Sequence, residues 1–200
     1  MKVLIAGATG HTGLRLTRQL AEAGHTPVAL VRESSDTSSL PEGTELRQGD
    51  LTDLQGGECD GVEAVVFAAG SGSSTGPDMT DKVDRDGAKR LVDIAAKSDA
   101  DKFIMLSAVG AGNPPFEGDL AHYMDAKHEA DEHLMASGLT YTIVRPVALT
   151  QEDGDRKVRL GDDVDVEGKA ARGDVAAIMA QALVDPRLEN RAFHMESLAA

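Results

Sequence analysis

The chain alternates short runs of apolar, often β-branched residues with longer stretches in which apolar positions recur every three or four residues. The short runs predict strands at Lys2–Ala6, Pro27–Val31, Glu45–Gln48, Ala64–Ala68, Lys102–Leu106 and Thr140–Val144, and a last one at Arg191–Met195. Several are apolar nearly throughout, as strands covered on both faces are. The helical period predicts Leu14–Ala23, where Leu16, Leu20 and Ala23 share a stripe, and Asp84–Lys97, with Ala88, Leu91, Val92 and Ala95. It also predicts a helix over roughly Ala121–Ser137, and Asp174–Val184 with Val175, Ile178, Met179 and Ala182 on one face. Asp174 after Gly173 reads as an N-cap. Gln151–Lys169 is polar and irregular, with room for a short hairpin. Strand, helix, strand, repeated, implies an α/β fold: a doubly wound parallel sheet with helices on both faces. No linker, repeat or low-complexity block divides the chain, so 1–200 reads as one domain.

The stretch KVLIAGATGHTGLRL, from Lys2, places three glycines where the first strand becomes the first helix. In a Rossmann-type sheet each has a task. Gly7 permits a tight turn off the strand, Gly10 lets backbone approach a pyrophosphate, and Gly13 lets the helix pack on the sheet. Thr9, His11 and Thr12 fill the same loop, and the helix start aims unpaired N–H groups at an anion. The bland alternative is a tight strand–helix turn with no ligand. The second strand ends in ALVRESS, with Arg32 where an acid would hold the ribose hydroxyls of NAD. A guanidinium clamps the 2′-phosphate of NADP, and Ser34 and Ser35 add hydroxyls. Glu33 keeps a ribose contact open, and a solvated Arg32 is the plain alternative. NADP (NADPH) is therefore the expected cofactor, ahead of NAD. Ala68, Ala69 and Gly70 end the fourth strand in FAAG, small enough for a cofactor to cross there.

The spacing Gly-x-x-Gly-x-x-Gly resembles that of the extended and atypical short-chain dehydrogenase/reductases. KVDRDGAKRLVDIAA, YMDAK, SGLTYTIVRP and GDVAAIMAQALVDPRLENRAF narrow the likeness to an atypical, single-domain NAD(P)-binding subgroup, epimerase-like or biliverdin reductase B-like. The resemblance implies that GDLTD borders the adenine, with Asp50 and Leu51 at the base. It also implies a catalytic triad of Ser107, Tyr123 and Lys127, in the family's order and context. Hydride delivery to a carbonyl leaves an oxyanion that needs a proton, and a tyrosine with an unperturbed pKa of about 10 gives one up reluctantly. An ammonium one helical turn away favours the phenolate and anchors the nicotinamide ribose, and a serine hydroxyl orients the carbonyl oxygen. Tyr123 packed on its helix beside a solvated Lys127 is the alternative. One departure stands out: the fuller catalytic tetrad carries Asn where this chain has Asp84, and an ionised Asp only accepts hydrogen bonds. After the sixth strand, Pro146 is expected to pass the nicotinamide and, with residues to Leu149, line the pocket. Arg145 fits a structural ion pair as well as a pocket.

Net charge is −14, and Asp outnumbers Glu 21 to 13. Such a surface repels a duplex or an anionic membrane, and the scarcity of aromatics argues against single-strand binding. A high-salt host and an ordinary acidic cytosolic protein account for it equally. The lone Cys59 permits no internal disulfide, and no apolar stretch approaches a membrane span. The N-terminus runs straight into a strand without a signal-peptide layout, so a cytoplasmic location is the expectation. His128 and His133 lie too awkwardly spaced for one metal, and a solvated helix face suits them better. About 55 residues follow the sixth strand, too few for a large substrate domain. A pocket built from loops 70–80, 108–122 and 147–169 would suit a small or planar carbonyl, quinone or flavin-like substrate. The leading expectation is an NADP(H)-dependent oxidoreductase. A non-catalytic NADP(H) sensor or assembly factor, or an epimerase- or dehydratase-type enzyme, remains the alternative. Oligomeric state is not legible.

Overall fold

The computed structural model describes residues 1–72 and 75–198. Ser73 and Ser74, in the expected pocket loop 70–80, lie outside the described residues, as do Ala199 and Ala200. Seven strands pair in parallel: β1 (Lys2–Ala6), β2 (Thr26–Val31), β3 (Glu45–Gln48), β4 (Ala64–Phe67), β5 (Lys102–Leu106), β6 (Thr140–Pro146) and β10 (Arg191–Ser197). β8 (Val158–Leu160) adds an antiparallel edge, and the sheet order is β3-β2-β1-β4-β5-β6-β10-β8. The order reverses between β1 and β4, which opens a crevice at the carboxyl ends of those two strands. Ala6 stands level with Leu30 and Phe67, so three strand ends meet there in register.

The alternation along each strand divides the core into two layers. Val3 and Ile5 share one apolar cluster with Leu16 and Leu20 of α1 (His11–Glu22) and with Val175 and Met179 of α5 (Arg172–Ala182). Leu4 and Ala6 face the opposite cluster, with Leu91 and Val92 of α3 (Ala88–Ala95) and Leu134 of α4 (Ala121–Met135). All of these side chains are buried, each worth about 1.5–3 kcal/mol for the large aliphatics. This is the doubly wound parallel sheet that the sequence predicts, with an antiparallel edge added.

Four local expectations need correction. α1 begins at His11, not Leu14, because Gly13 is itself helical: a Cβ there would stand 2.0 Å from the Gly7 carbonyl oxygen. The second helical stretch begins before Asp84, as α2 (Pro77–Met79) and a π-helix (Thr80–Gly87) leading into α3. The widened turn breaks the 3.6-residue period, so pattern reading finds only its regular end. Gln151–Lys169 forms no hairpin. β8 pairs with β10, while β7 (Ala148–Thr150) and β9 (Lys169–Ala171) make a separate parallel pair. Nor is Asp174 an N-cap. Ala171 occupies that position, and the buried Asp174 carboxylate accepts from the Arg156 N–H at 2.9 Å and the Ser197 hydroxyl at 2.7 Å. Its partners come from a loop and a strand far from it in sequence, which a local cap signal cannot show. Among the described residues, no helix is long and apolar enough to cross a membrane.

Candidate functional site

The crevice is built by the first loop. Gly7 has φ +85°, a conformation side chains rarely adopt, and a Cβ there would lie 2.7 Å from the backbone of Ala69. The turn is thus pressed against Ala68 and Ala69 at the end of β4, with Gly70 exposed beyond them. Gly10 is the extended residue before α1, and its N–H returns to the Gly7 carbonyl at 3.0 Å. The first turn of α1 has no side-chain cap and no acidic residue. Its N–H groups are therefore left without a side-chain partner, with the helix dipole behind them. Thr9 and His11 are exposed, and Thr12 is buried.

Arg32 and Ser34 stand exposed at the end of β2, lining two cavities. One, of about 310 Å³, runs from Thr9 and Leu14 to Ser35 and Asp36. The other, of about 580 Å³, reaches Gln48, Gly49 and Asp50. Among the described residues no hydrogen bond or ion pair engages the Arg32 guanidinium; Ser35 accepts from its backbone N–H instead, at 3.0 Å. Asp50 turns its carboxylate to the Thr52 N–H and hydroxyl, at 2.9 and 2.8 Å. The Thr52 N–H, helped by Arg32, holds its pKa below the usual carboxylate value. Leu51 is partly buried against Gly87, where an added Cβ would stand 2.6 Å from the Leu51 carbonyl oxygen.

The other wall holds the second constellation. Tyr123 and Lys127 share a face of α4, with the ammonium 5.6 Å from the phenol ring centroid and 5.9 Å from that of Phe67. Lys127 is almost fully buried. Its Nζ pairs with Asp84 at 2.8 Å and lies 3.4 Å from the Leu106 carbonyl. Asp84, at zero exposure in the π-helix, also accepts from the Ser71 N–H at 2.9 Å. Burial works against the ammonium, but Tyr123, Asp84 and Asp131 outweigh it and raise its pKa. The position where the resemblance implies Asn therefore carries the counter-ion of Lys127.

Ser107, buried at the end of β5, donates its hydroxyl proton to Asp131 Oδ2 at 2.9 Å. The same oxygen accepts from Arg145 Nε at 2.9 Å, so Arg145 takes the structural ion-pair role. Burial pushes the Asp131 carboxyl up, with Arg145 and Ser107 opposing. The sequence gives Asp131 no role beside the triad, although it continues the series Tyr123, Lys127, Asp131 at four-residue steps. Pro146 is buried, and its carbonyl accepts from the Val109 N–H at 2.9 Å. His128 and His133 are partly exposed, and each has a polar neighbour. His128 Nδ1 is 2.9 Å from the Ala111 carbonyl oxygen with its ring edge-on to Phe116, and His133 Nε2 is 2.7 Å from Asp93.

A glycine cradle at a strand-order reversal, an uncapped helix start above it and an unpaired arginine beyond the second strand fit a dinucleotide, and define a Rossmann-type NAD(P)-binding protein. The chain belongs to the NAD(P)H-binding family, which matches residues 7–186, and a nicotinamide dinucleotide is its cofactor. It is 38% identical over 202 residues to the uncharacterized sugar epimerase YhfK of Bacillus subtilis, covering 98% of this chain and 94% of that one. Among solved structures, a Bacillus halodurans protein named for NAD-dependent epimerase/dehydratase activity superposes with a TM-score of 0.93 at 33% identity, over 100% of this chain and 95% of the other. The oxidoreductase ylbE of Lactococcus lactis gives 0.86 at 26% identity, over 100% and 92%.

Proposed function

We propose that the protein is an NADP(H)-dependent reductase of a small or planar carbonyl, quinone or flavin-like acceptor. The observation that carries the reading is the buried Lys127 ammonium beneath the Tyr123 ring, at the carboxyl end of the strands beside the glycine cradle. The bound dinucleotide supplies the hydride. Tyr123 gives its phenolic proton to the acceptor oxygen and regains one from water. Lys127 lowers the cost of the transient phenolate, and Asp84 keeps that lysine charged and fixed. Ser107 donates its hydroxyl hydrogen bond to Asp131, so orienting a carbonyl oxygen requires it to leave that bond. The exposed Arg32, with Ser34 beside it, supports NADP as the cofactor, through a contact to its 2′-phosphate. Segments 75–80, 108–122 and 147–169 are the walls proposed for the substrate pocket, and ylbE, named an oxidoreductase, supports this reading.

The test is loss of NADPH absorbance with a panel of quinones, flavins, aldehydes and ketones. Tyr123→Phe is expected to lower kcat by about 100-fold or more while NADPH affinity holds. Turnover indifferent to that change refutes the role of Tyr123. A second reading has its own support: Lys127 and Ser107 both have buried carboxylate partners without any substrate, which suits a protein that binds the cofactor and reports it. NADPH binding without turnover on any acceptor favours that sensor. Sugar interconversion without net NADPH loss favours an epimerase, as the name of YhfK suggests.

A further inference from the structure

Arg172 opens α5, which packs along α1, and both helices start at the carboxyl end of the sheet. Its Nη1 donates to Thr12 Oγ1 at 2.9 Å, across 160 residues of sequence. Its Nε is buried with no hydrogen-bond partner, and among the described residues no carboxylate pairs with it. Burial, and then Arg15, both work against its charge. Arg15 is itself neutralised by Asp153 at 2.7 Å. In a chain with 34 acids against 20 lysines and arginines, a half-buried guanidinium beside a second cation and without an acid is an unmet demand for an anion.

Thr12 makes the demand directional. It occupies the first turn of α1, where no side chain caps the free N–H groups. Its oxygen accepts from Arg172, so its single proton points elsewhere. We propose that Arg172 and Thr12 together form a side-chain clamp on the cofactor's diphosphate: the guanidinium supplies charge, and the Thr12 hydroxyl, held by Arg172, donates to a phosphate oxygen. The inference rests on the dinucleotide reading of the crevice. It adds to the backbone contacts of the glycine loop a residue from the far half of the chain, so that the diphosphate ties α1 to α5.

The test is calorimetric titration of the full chain with ADP, which carries the diphosphate, and with 2′-AMP, which carries only the 2′-phosphate. Arg172→Met is expected to weaken ADP and NADPH by about 10- to 100-fold and leave 2′-AMP within about two-fold. Thr12→Val should weaken ADP by a smaller factor, and the double variant should lose less than the product of the two, since they act as one unit. Arg172→Lys retains a charge without the fork and should fall between wild type and Arg172→Met. It also keeps the test usable if Arg172→Met does not fold. A tie that only joins α1 to α5 predicts a lower melting temperature with unchanged ADP affinity in every variant, and that result overturns the clamp. Failure of the wild type to bind ADP or NADPH at all overturns the dinucleotide reading and the clamp with it.

Discussion

Adding one methyl group to each glycine of the first loop gives three different outcomes, because the space around each differs. At Gly13 the new Cβ would lie 2.0 Å from the Gly7 carbonyl oxygen and 2.7 Å from its carbon. Both are backbone atoms, so α1 must move off β1, at the upper end of the roughly 1–3 kcal/mol typical of overpacking, or beyond it. At Gly7 the methyl meets the Ala69 backbone at 2.7 Å, and the φ of +85° adds about 1–2 kcal/mol. At Gly10 the only close atom is the Gly7 oxygen at 3.2 Å, and the backbone is extended. Gly10→Ala should therefore cost less than about 1 kcal/mol of stability. It places its methyl where the diphosphate approaches the helix start, and should weaken NADPH by about 10-fold or more, or 1.4 kcal/mol. Urea unfolding of the three variants, with fluorescence titration of NADPH on each folded one, reads both quantities. A Gly10→Ala protein that binds NADPH like the wild type would refute the placement of the diphosphate over α1. A Gly13→Ala protein of native stability would refute the tight packing of that helix.

Asp84→Asn leaves the Lys127 ammonium buried without its counter-ion, and should cost about 3–5 kcal/mol in denaturant unfolding. In the wild type the raised Lys127 pKa means its contribution is complete below 10.5 and is lost as pH climbs through the higher folded value. In the variant both contributions of Asp84 are gone while burial and Tyr123 remain, so the folded pKa should fall from its wild-type value and the stability lost above pH 10.5 should shrink; a wild-type profile at wild-type stability contradicts the pairing. Arg32→Gln should cut the preference for NADPH over NADH by about 10-fold or more, seen in parallel titrations, with ADP affinity unchanged. Burial pushes the Cys59 thiol up to about 12, so alkylation at neutral pH should wait for unfolding; rapid labelling of the native protein would contradict its burial.

The sheet was legible because its central strands are continuous apolar runs, and Val3 to Ala6 needs no partner to be read. The glycine cradle was legible because its spacing is local. What escaped were contacts between distant parts of the chain. Arg172 meets Thr12 where α5 packs along α1, and nothing in ARGDV marks that contact. Asp131 sits in HEADEH, a run that looks solvated until α4 turns it toward Ser107 and Arg145. Asp84 stands out in the sequence as a missing Asn. Its pairing with Lys127 does not, because a π-helix carries it there. The Asp174 cap and the hairpin failed for the same reason, as local signals overruled by partners far away.

In the proposed complex the first strand and helix cradle the diphosphate of NADPH while Tyr123 faces the nicotinamide. Crystals grown with saturating NADPH show whether it forms. Density is expected for the diphosphate over Gly10 to Thr12, for the 2′-phosphate at Arg32, and for the phenol of Tyr123 directed at the nicotinamide. A crevice left vacant under those conditions, or a phenol turned inward toward Phe67, would contradict it.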